Sequence, residues 1–312
     1  MQCVLAVDGG NTKTIAAIAA VDGSVLGIGH AGCSDVYNAH PDDGSSDAAA
    51  MARRNAERAT LAALAQAQAA PSDLLVGVFN MAGADWPEDF AFWQAVAAVR
   101  GFGRTVIVQN DALGVLYLGA PDAVGVSIVA GTGAATGARG ADGRTWHSSF
   151  WQDEAQGSAQ LGQKTLFAVY RSALGIAPAT SLTARVLAYL KVVSVEEALR
   201  LFTNRQRPAP INVDRLTPIL LDEAHAGDAV ALRVVREHGA ALGDFALAGA
   251  RMVGLEGTPF PLVLAGGVFR HPTTVLEDAI VARVRSVWPE IRPIRSRAEP
   301  IVGVLIEALG AA

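Results

Sequence analysis

The sequence predicts an α/β protein of two lobes, each built on a mixed sheet that begins as a β-meander, with a cleft between the lobes. The chain has 312 residues, and at about 100–200 residues per domain this length favours two domains. A pattern of strand, glycine turn, strand, Asp-Gly turn and strand opens the chain and recurs near its middle. Such an internal duplication indicates two lobes of similar construction.

The first meander occupies the N-terminus. Residues 2–8 form an almost continuous apolar run, which is typical of a buried strand, and residues 14–20 form another. The pair Asp22-Gly23 predicts a tight turn before a third strand at residues 24–30. Three consecutive strands joined by short turns predict an antiparallel meander.

The remainder of the first lobe, residues 1–117, alternates helices with strands. We expect a long helix at about residues 46–69, because an Ala-rich segment with one charged face ends before Pro71. Three elements follow: a strand in "LLVGVFNMAG", a helix that starts near Pro87, and a strand in "TVIVQND". A short helix in "ALGVLYLGA" completes this lobe.

The second lobe, residues 118–297, repeats the meander in "AVGVSIVAGTGAATGARGADGRTWHS". Helical periodicity then predicts a series of helices at residues 159–172, 181–190, 194–203, 213–226 and 228–252. A strand in "PFPLVLAGGVFR", a helix in "PTTVLEDAIVARVRSVW" and an edge strand in "IRPIRS" follow. An apolar helix in "EPIVGVLIEALGAA" closes the chain.

Composition and charge exclude several classes of protein. Hydrophobic residues make up 51% of the chain and charged residues 18%, which favours a large core over disorder. The net charge of −5 argues against a nucleic-acid or anionic-membrane surface. No uncharged apolar run reaches the ~18 residues of a membrane span. Cys3 and Cys33 lack metal-site spacing and the N-terminus resembles no signal peptide, so we expect a cytoplasmic protein.

The first candidate site is the glycine turn "DGGNTKT" at residues 8–14. Glycine lets backbone amides approach an anion closely, and the polar residues after it add donors. The candidate phosphate-binding residues are Gly9, Gly10, Asn11, Thr12 and Lys13. Asp8, at the strand end, is positioned to hold Mg²⁺ directly or through water. The alternative is an ordinary hairpin with a polar tip.

The equivalent turn of the second meander contains Gly131, Thr132 and Gly133. Small-residue turns are common, but two duplicated glycine turns that face each other can clamp one polyphosphate from both sides. A later glycine turn at Gly266, Gly267 and Val268 follows an apolar strand and leaves room for a flat base or ribose. Simple strand turns are the alternative for both, and the chain contains no Walker or dinucleotide fingerprint.

Polar residues also end the strand "TVIVQND". Asn110 and Asp111 lie at its carboxyl edge, where α/β folds bind their ligands. Asp111 is therefore a candidate base that accepts a proton from a substrate hydroxyl. The alternative is that Asp111 is only the N-cap of a helix that begins at Ala112.

A further candidate site precedes the helix at residue 159, in "WHSSFWQDEAQGS". Trp151 supplies an aromatic face and the pair Asp153-Glu154 supplies carboxylates, a combination suited to holding a sugar ring. The alternative is a capped helix start with tryptophans in the core.

The order of these motifs resembles that of the actin/hexokinase/heat-shock ATPase superfamily. Within it, the chain is most similar to the BadF/BadG/BcrA/BcrD ATPase family, which includes the eukaryotic-type N-acetylglucosamine kinases. "DGGNTKT" and "AGTGA" look like the two phosphate motifs, "QNDA" like the strand end with the catalytic Asp, and "AGGV" like the adenosine motif. "EPIVGVLIEAL" resembles the closing helix, which implies that residues 298–312 return to the first lobe.

The resemblance implies an ATP- and Mg²⁺-dependent kinase that phosphorylates an amino sugar, first of all N-acetylglucosamine at its 6-hydroxyl. It also implies two actin/ribonuclease-H-like lobes and a homodimer. Asp111 would be the base, and the sugar contacts would come from Asp35, Asn38, Asn110, Trp151, Asp153 and Glu154. Glucosamine, N-acetylmuramic acid and other hexoses stay open as substrates. A sugar sensor without catalysis is the alternative of another class, whereas an iron–sulfur dehydratase activator is excluded because no cysteine follows Cys33.

The chain departs from the family pattern on the sugar side. Ala134 replaces a serine, and "QDEAQGS" replaces Gly-Asp-Glu-Gly-Ser. The sugar-facing carboxylate is therefore Asp153 or Glu154, depending on the alignment. The family's sugar-binding Asn after the third strand corresponds to one of three residues in "GCSDVYN", namely Ser34, Asp35 or Asn38.

Overall fold

The computed structural model describes residues 2–40, 47–206 and 212–312 and contains two five-stranded mixed sheets, one in each lobe. The strands of the first sheet are β1 (Cys3–Gly9), β2 (Thr14–Ala20), β3 (Val25–Ala31), β4 (Leu74–Met81) and β5 (Thr105–Asn110). Their spatial order is β3-β2-β1-β4-β5. The expected α/β class and the N-terminal meander are confirmed.

The pairing within this sheet determines where the polar strand ends lie. β1 and β2 are antiparallel, with Gly9 opposite Thr14, so residues 10–13 form the connecting turn. β1, β4 and β5 run parallel to one another. Because the carboxyl ends of parallel strands meet at one sheet edge, Asp8 and Asn110 approach the same edge.

Within residues 47–118, three helices accompany the first sheet: α1 (Ala48–Ala67), α2 (Pro87–Arg100) and the short α3 (Asp111–Gly114). Asp47 is the N-cap of α1, because its side chain accepts a hydrogen bond from the Ala50 amide. Ser46, the predicted start of this helix, lies outside the described residues. The helix predicted to begin at Ala112 continues from α3 as a 3₁₀ turn at Val115–Leu118.

The second sheet repeats this plan. Its strands are β6 (Gly125–Ala130), β7 (Ala134–Arg139), β8 (Thr145–His147), β9 (Phe260–Ala265) and β10 (Ile291–Arg295). The spatial order is β10-β9-β6-β7-β8, so β10 is an edge strand as predicted. β6 and β9 are parallel, which brings the turns after Ala130 and Ala265 to one edge.

The helices of the second lobe largely match the predicted segments. They are α4 (Ser158–Ala173), α5 (Leu182–Leu190), α6 (Val195–Thr203), α7 (Thr217–Ala226), α8 (Ala229–Met252) and α9 (Val275–Arg285). The helix expected at residues 213–226 instead starts as a 3₁₀ turn, and α7 begins at Thr217. Pro218 explains the difference, because proline favours the first turn of a helix and disfavours its interior.

The last helix, α10 (Pro300–Gly310), packs on the first sheet although it follows the last strand of the second. Its Ile301, Val304 and Ala308 share an apolar cluster with Val4 and Ala6 of β1. The intervening β1 side chains face α1 on the other side of the sheet. The first sheet therefore has helices on both faces. The lobe boundaries at residues 117 and 297 stay a prediction.

None of the helices in the described part of the chain is both long enough and apolar enough to cross a membrane.

Candidate active site

A cavity of about 930 Å³ receives side chains from both lobes. Most of the site residues predicted from the sequence line it. These are Asp8, Gly10, Asn11, Thr12, Lys13, Asp35, Asn110, Asp111, Gly131, Thr132, Gly133, Asp153, Gly266, Gly267 and Val268. Four predicted residues do not line it: Gly9, Asn38, Trp151 and Glu154.

The two glycine turns meet across this cavity. The Oγ1 atoms of Thr12 and Thr132 lie 3.0 Å apart, within hydrogen-bonding distance. The first turn is closed by a hydrogen bond of 3.0 Å from the Gly10 amide to the Lys13 carbonyl, and the second by the Gly131 amide on the Gly133 carbonyl at 2.9 Å. A group that lies between the turns is therefore bounded by both lobes.

The second turn rests on the N-terminus of α4. The Ser158 amide donates to the Gly131 carbonyl at 2.8 Å, and the Ala159 amide donates to the Thr132 carbonyl at 3.1 Å. Gly157 lies so close that a Cβ there would be 2.2 Å from the Gly133 carbonyl oxygen. The sequence shows Gly157-Ser158 before α4, but the support that Gly157 gives to the second turn is visible only in the fold.

Gln156 also supports the second turn, because its Oε1 accepts a hydrogen bond of 3.0 Å from the Ala134 amide. Its own carbonyl accepts from Nε2 of the buried His238 at 2.7 Å. The other ring nitrogen, Nδ1, lies 3.1 Å from Nζ of Lys164, which donates to it. His238 is therefore neutral in the folded protein, and burial lowers its pKa to about 4.

Asp8 lies one residue before the end of β1, and Asp111 directly follows β5. Both carboxyl groups are unusually hard to ionise. Burial raises the pKa of Asp8 to about 6, although Asn80 and Lys13 act in the opposite direction. Burial, followed by the charges of Asp8, Asp85 and Asp35, raises the pKa of Asp111 to about 8. The cavity therefore contains carboxylates whose negative charge is poorly compensated by protein groups.

Mg²⁺ fits this arrangement at Asp8. A partly buried carboxylate with a raised pKa gains most from a nearby cation. No group of three or more metal-binding side chains occurs among the described residues. Mg²⁺ typically keeps several waters and binds one or two carboxylates together with substrate phosphates, so Asp8 alone meets the protein's share of such a site.

The backbone at Asp111 is held by its neighbours. Asn80 Nδ2 donates to the Asp111 carbonyl at 2.8 Å, and Asn80 Oδ1 accepts from the Gly114 amide at 3.1 Å. Asn110, and not Asp111, is the N-cap of α3, because its Oδ1 accepts from the Ala112 amide at 3.1 Å. The alternative interpretation of Asp111 as the helix cap is therefore wrong.

Asp35 lines the cavity and is 4% exposed. Its Oδ1 accepts from the Tyr37 amide at 2.8 Å, and its Oδ2 accepts from Asn38 Nδ2 at 2.9 Å. Asn38 thus holds the Asp35 carboxylate and does not itself line the cavity. Ser34, the third candidate in this segment, is buried and accepts a hydrogen bond from Thr14 Oγ1 at 2.8 Å.

Of the aromatic and acidic residues after β8, some line the cavity and others do not, because the local backbone turns their side chains in different directions. Phe150 lines the cavity, whereas Trp151 does not and is 74% exposed. Successive residues of the 3₁₀ turn Ser149–Trp151 point in different directions, so neighbouring side chains do not reach the same space. Asp153 lines the cavity and Glu154 does not.

The third glycine turn lies at the same sheet edge as the second. Gly266 has a φ of +100°, and a Cβ there would lie 2.5 Å from the Ala130 carbonyl oxygen. A Cβ on Gly267 would meet no protein atom within 4 Å, so its surface is open toward the cavity. Gly9, in contrast, allows Ser34 and Met81 to pack against β1.

Glu299 links Lys13 of the first glycine turn to Arg270, which follows the third glycine turn. Its Oε2 lies 3.2 Å from Lys13 Nζ, and its Oε1 lies 2.5 Å from Arg270 Nη1. These contacts hold the pKa of Glu299 below its usual range despite partial burial. No local motif in the sequence points to Glu299, because its partners Lys13 and Arg270 are distant in the chain.

Asp85, like Asp214, is a cavity carboxylate to which no sequence motif points. Its Oδ1 accepts from Asn110 Nδ2 at 2.9 Å and from Ser149 Oγ at 2.5 Å. Burial raises the pKa of Asp85 above its ordinary value. Asp85 follows β4, which runs parallel to β1 and β5. An acid shortly after such a strand reaches the same sheet edge as Asp8 and Asp111, so this position in the sequence indicates a site residue.

Comparisons with known proteins identify the family and a related kinase. The model of the BadF/BadG/BcrA/BcrD ATPase family matches residues 5–308. An N-acetylmuramic acid/N-acetylglucosamine kinase of Clostridium acetobutylicum is 25% identical over 312 residues, covering 99% of this chain and 98% of that protein.

Solved structures show the same fold. A Chromobacterium violaceum protein assigned as an N-acetylglucosamine kinase superposes with a TM-score of 0.67 at 21% identity, covering 98% of each chain. A ROK family glucokinase from Streptomyces griseus gives a TM-score of 0.52 at 18% identity, also over 98% of each chain. The two-lobed fold expected from the motif order is confirmed.

Proposed function

Because the chain belongs to the BadF/BadG/BcrA/BcrD ATPase family, we propose that it is an ATP-dependent sugar kinase acting on an amino sugar, first of all N-acetylglucosamine at its 6-hydroxyl. The observation that carries the proposal is the meeting of Thr12 and Thr132 at 3.0 Å in a cavity that also contains Asp8 and Asp111. The names of the Clostridium and Chromobacterium relatives support an amino-sugar acceptor.

The two glycine turns bind the phosphates of ATP. Backbone amides and threonine hydroxyls donate to phosphate oxygens from both lobes, and Lys13 contributes a positive charge. Gly267 leaves open space where adenosine binds, and Gly266 allows this turn to pack closely against Ala130. Closure of the lobes on both substrates excludes water, which otherwise competes as the phosphoryl acceptor.

Asp8 would hold Mg²⁺, which would offset negative charge on the transferred phosphoryl group. Asp111 accepts the proton of the sugar hydroxyl. A base works best when its pKa lies near the operating pH, and burial moves Asp111 toward that range. Asn80 and Asn110 position the backbone that carries the carboxylate.

The test is the substitution Asp111→Asn, measured with a coupled ADP-release assay. We expect kcat to fall by about 10²–10⁴-fold, the usual contribution of a general base, with ATP binding retained. The exposed Asp142, in the turn before β8, provides a matched control, and Asp142→Asn should retain wild-type turnover. A variant at Asp111 that keeps more than about a tenth of the activity contradicts the role as base.

The sugar is identified by the same assay over a panel of hexoses and amino sugars. We expect ADP release that depends on the sugar and is fastest with N-acetylglucosamine. Sugar-induced thermal stabilisation without ADP release from any sugar would instead favour the sensor.

A further inference from the structure

The part of the cavity assigned to the sugar is rich in carboxylates. Asp35, Asp85 and Asp111 all line it, and Asp85 and Asp35 are close enough for their charges to affect Asp111. The side chain of Asp85 is only 9% exposed. Carboxylates at such a surface act as acceptors for hydroxyl and amide donors.

The hydrogen bonds of Asp85 leave one oxygen free for a ligand. The side-chain donors Asn110 Nδ2 and Ser149 Oγ both reach Oδ1. The nearest carboxylate oxygen to His147 Nδ1 is also Asp85 Oδ1, at 3.9 Å. Within residues 2–40, 47–206 and 212–312, no group donates a hydrogen bond to Oδ2. A carboxylate oxygen that lies on a cavity wall and lacks a protein donor is a ready acceptor for a bound hydroxyl.

The position of Asp85 is fixed before a ligand binds. Its amide and that of Trp86 donate to Asp89 Oδ2 at 3.2 and 2.8 Å. Across the cleft, the ring of Phe150 stacks on Trp86 with centroids 6.3 Å apart and meets Tyr37 edge-on at 5.2 Å. These contacts hold the Ser149 segment of the second lobe against Asp85, so little ordering is needed on binding.

Among the residues that the structure describes, no lysine or arginine forms an ion pair with Asp35 or Asp85. Among the described residues, the lysine and arginine side chains that line it are Lys13, Arg215 and Arg270. Lys13 and Arg270 are both paired with Glu299 at the phosphate turns. A negative substituent on the sugar would therefore meet carboxylates without a compensating cation, and like charges in a poorly solvated cleft repel strongly.

We propose that Asp85 is a specificity-determining residue: its Oδ2 accepts a hydrogen bond from a hydroxyl of the acceptor sugar, and together with Asp35 it disfavours sugars that carry a carboxylate. This inference rests on the proposed function and narrows it. The acceptor is a neutral or cationic hexose, and N-acetylglucosamine is preferred to N-acetylmuramic acid, which adds an ether-linked lactate. Specificity of this kind uses repulsion of the wrong ligand as well as attraction of the right one.

The test compares kcat/KM for these two sugars in the wild-type protein and in Asp85→Asn. Asparagine keeps an Oδ1 acceptor for Asn110 and Ser149 while it removes the charge and replaces Oδ2 by a donor. We expect the wild type to prefer N-acetylglucosamine by about 100-fold or more, from the strength of like-charge repulsion at close range. In the variant, KM for N-acetylglucosamine should rise at least about tenfold and the preference should fall about tenfold.

The KM for ATP should stay the same in Asp85→Asn, which a general loss of structure would not allow. Asp142→Asn removes a remote surface charge and should leave the preference between the sugars unchanged. A wild-type protein that prefers N-acetylmuramic acid overturns the inference whether or not the variant folds. An unchanged KM and an unchanged preference in a folded Asp85→Asn overturn it as well.

The two proposals fail differently. If the wild-type protein releases no ADP with any sugar, the proposed function is wrong. If it phosphorylates sugars but Asp85→Asn behaves as the wild type, only the inference about Asp85 is wrong.

Discussion

Replacing Gly157 by alanine tests whether the second glycine turn must be held in one position to clamp ATP. The Cβ introduced by this change would lie 2.2 Å from the Gly133 carbonyl oxygen and 2.3 Å from the Gly131 carbonyl oxygen. Both atoms belong to the backbone of the turn, so no flexible side chain can move aside. The backbone of the turn or of the start of α4 must therefore be displaced.

The size of the displacement follows from these distances. Ordinary contacts of a Cβ begin at 3.4 Å, so the turn or the start of α4 must move by about 1 Å. A misplacement of about 1 Å in a positioning group can cost about 100-fold in rate. That factor corresponds to about 2.7 kcal/mol of transition-state stabilisation. We therefore expect kcat/KM for ATP to fall by about this factor in Gly157→Ala.

The measurement is steady-state ADP release with ATP varied at saturating sugar, together with thermal unfolding of the same preparation. Gly310→Ala, at the end of α10, is the matched control, because a Cβ at Gly310 meets no atom within 4 Å. This control should keep wild-type kinetics. A folded Gly157→Ala with kcat/KM for ATP within about threefold of wild type would refute the reasoning, since the turn would then tolerate the displacement.

Two further predictions concern stability. Because folding lowers the pKa of His238 to about 4 from an ordinary 6.5, the neutral histidine stabilises the fold fully above pH 6.5, and this stabilisation is lost as the pH falls toward 4. The loss amounts to about 3 kcal/mol in the free energy of unfolding. In urea denaturation, the free energy of unfolding of His238→Gln should depend less steeply on pH between 4 and 6.5 than that of the wild type. Equal slopes for the two proteins would contradict a buried neutral His238. Leu5→Ala empties a fully buried site in the first core and should lower the free energy of unfolding by about 2–5 kcal/mol. A decrease below about 1 kcal/mol in the same assay would mean that the core collapses around the cavity.

Local patterns predicted most of the scaffold. The apolar runs of β1, β2 and β4 lie where the strands do, and the glycine turn after Asp8 connects β1 to β2. These features follow from residues that are adjacent in the chain, since strand burial and tight turns leave a direct pattern in the sequence. The apolar periodicity predicts that α7 starts at residue 213, whereas Pro218 favours a helix that begins at Thr217.

The sugar side was harder to predict from the sequence. Trp151 was the expected aromatic contact, but Phe150 is the ring that lines the cavity. The difference between them is the direction in which consecutive residues of a 3₁₀ turn point, and an aromatic pair in a sequence does not show this direction. The same limit applied to Asp153 and Glu154, of which only Asp153 lines the cavity.

The sequence by itself determined the two meanders and the carboxylates Asp8 and Asp111 at the ends of their strands, because these depend on periodicity and on short turns. The tertiary structure decided which groups meet across the cleft: Thr12 with Thr132, and Asp85 with Ser149. The physical reason is that such contacts join residues from different lobes. Their geometry depends on how two separately folded sheets dock, and no local pattern of hydrophobicity or turn chemistry encodes that docking.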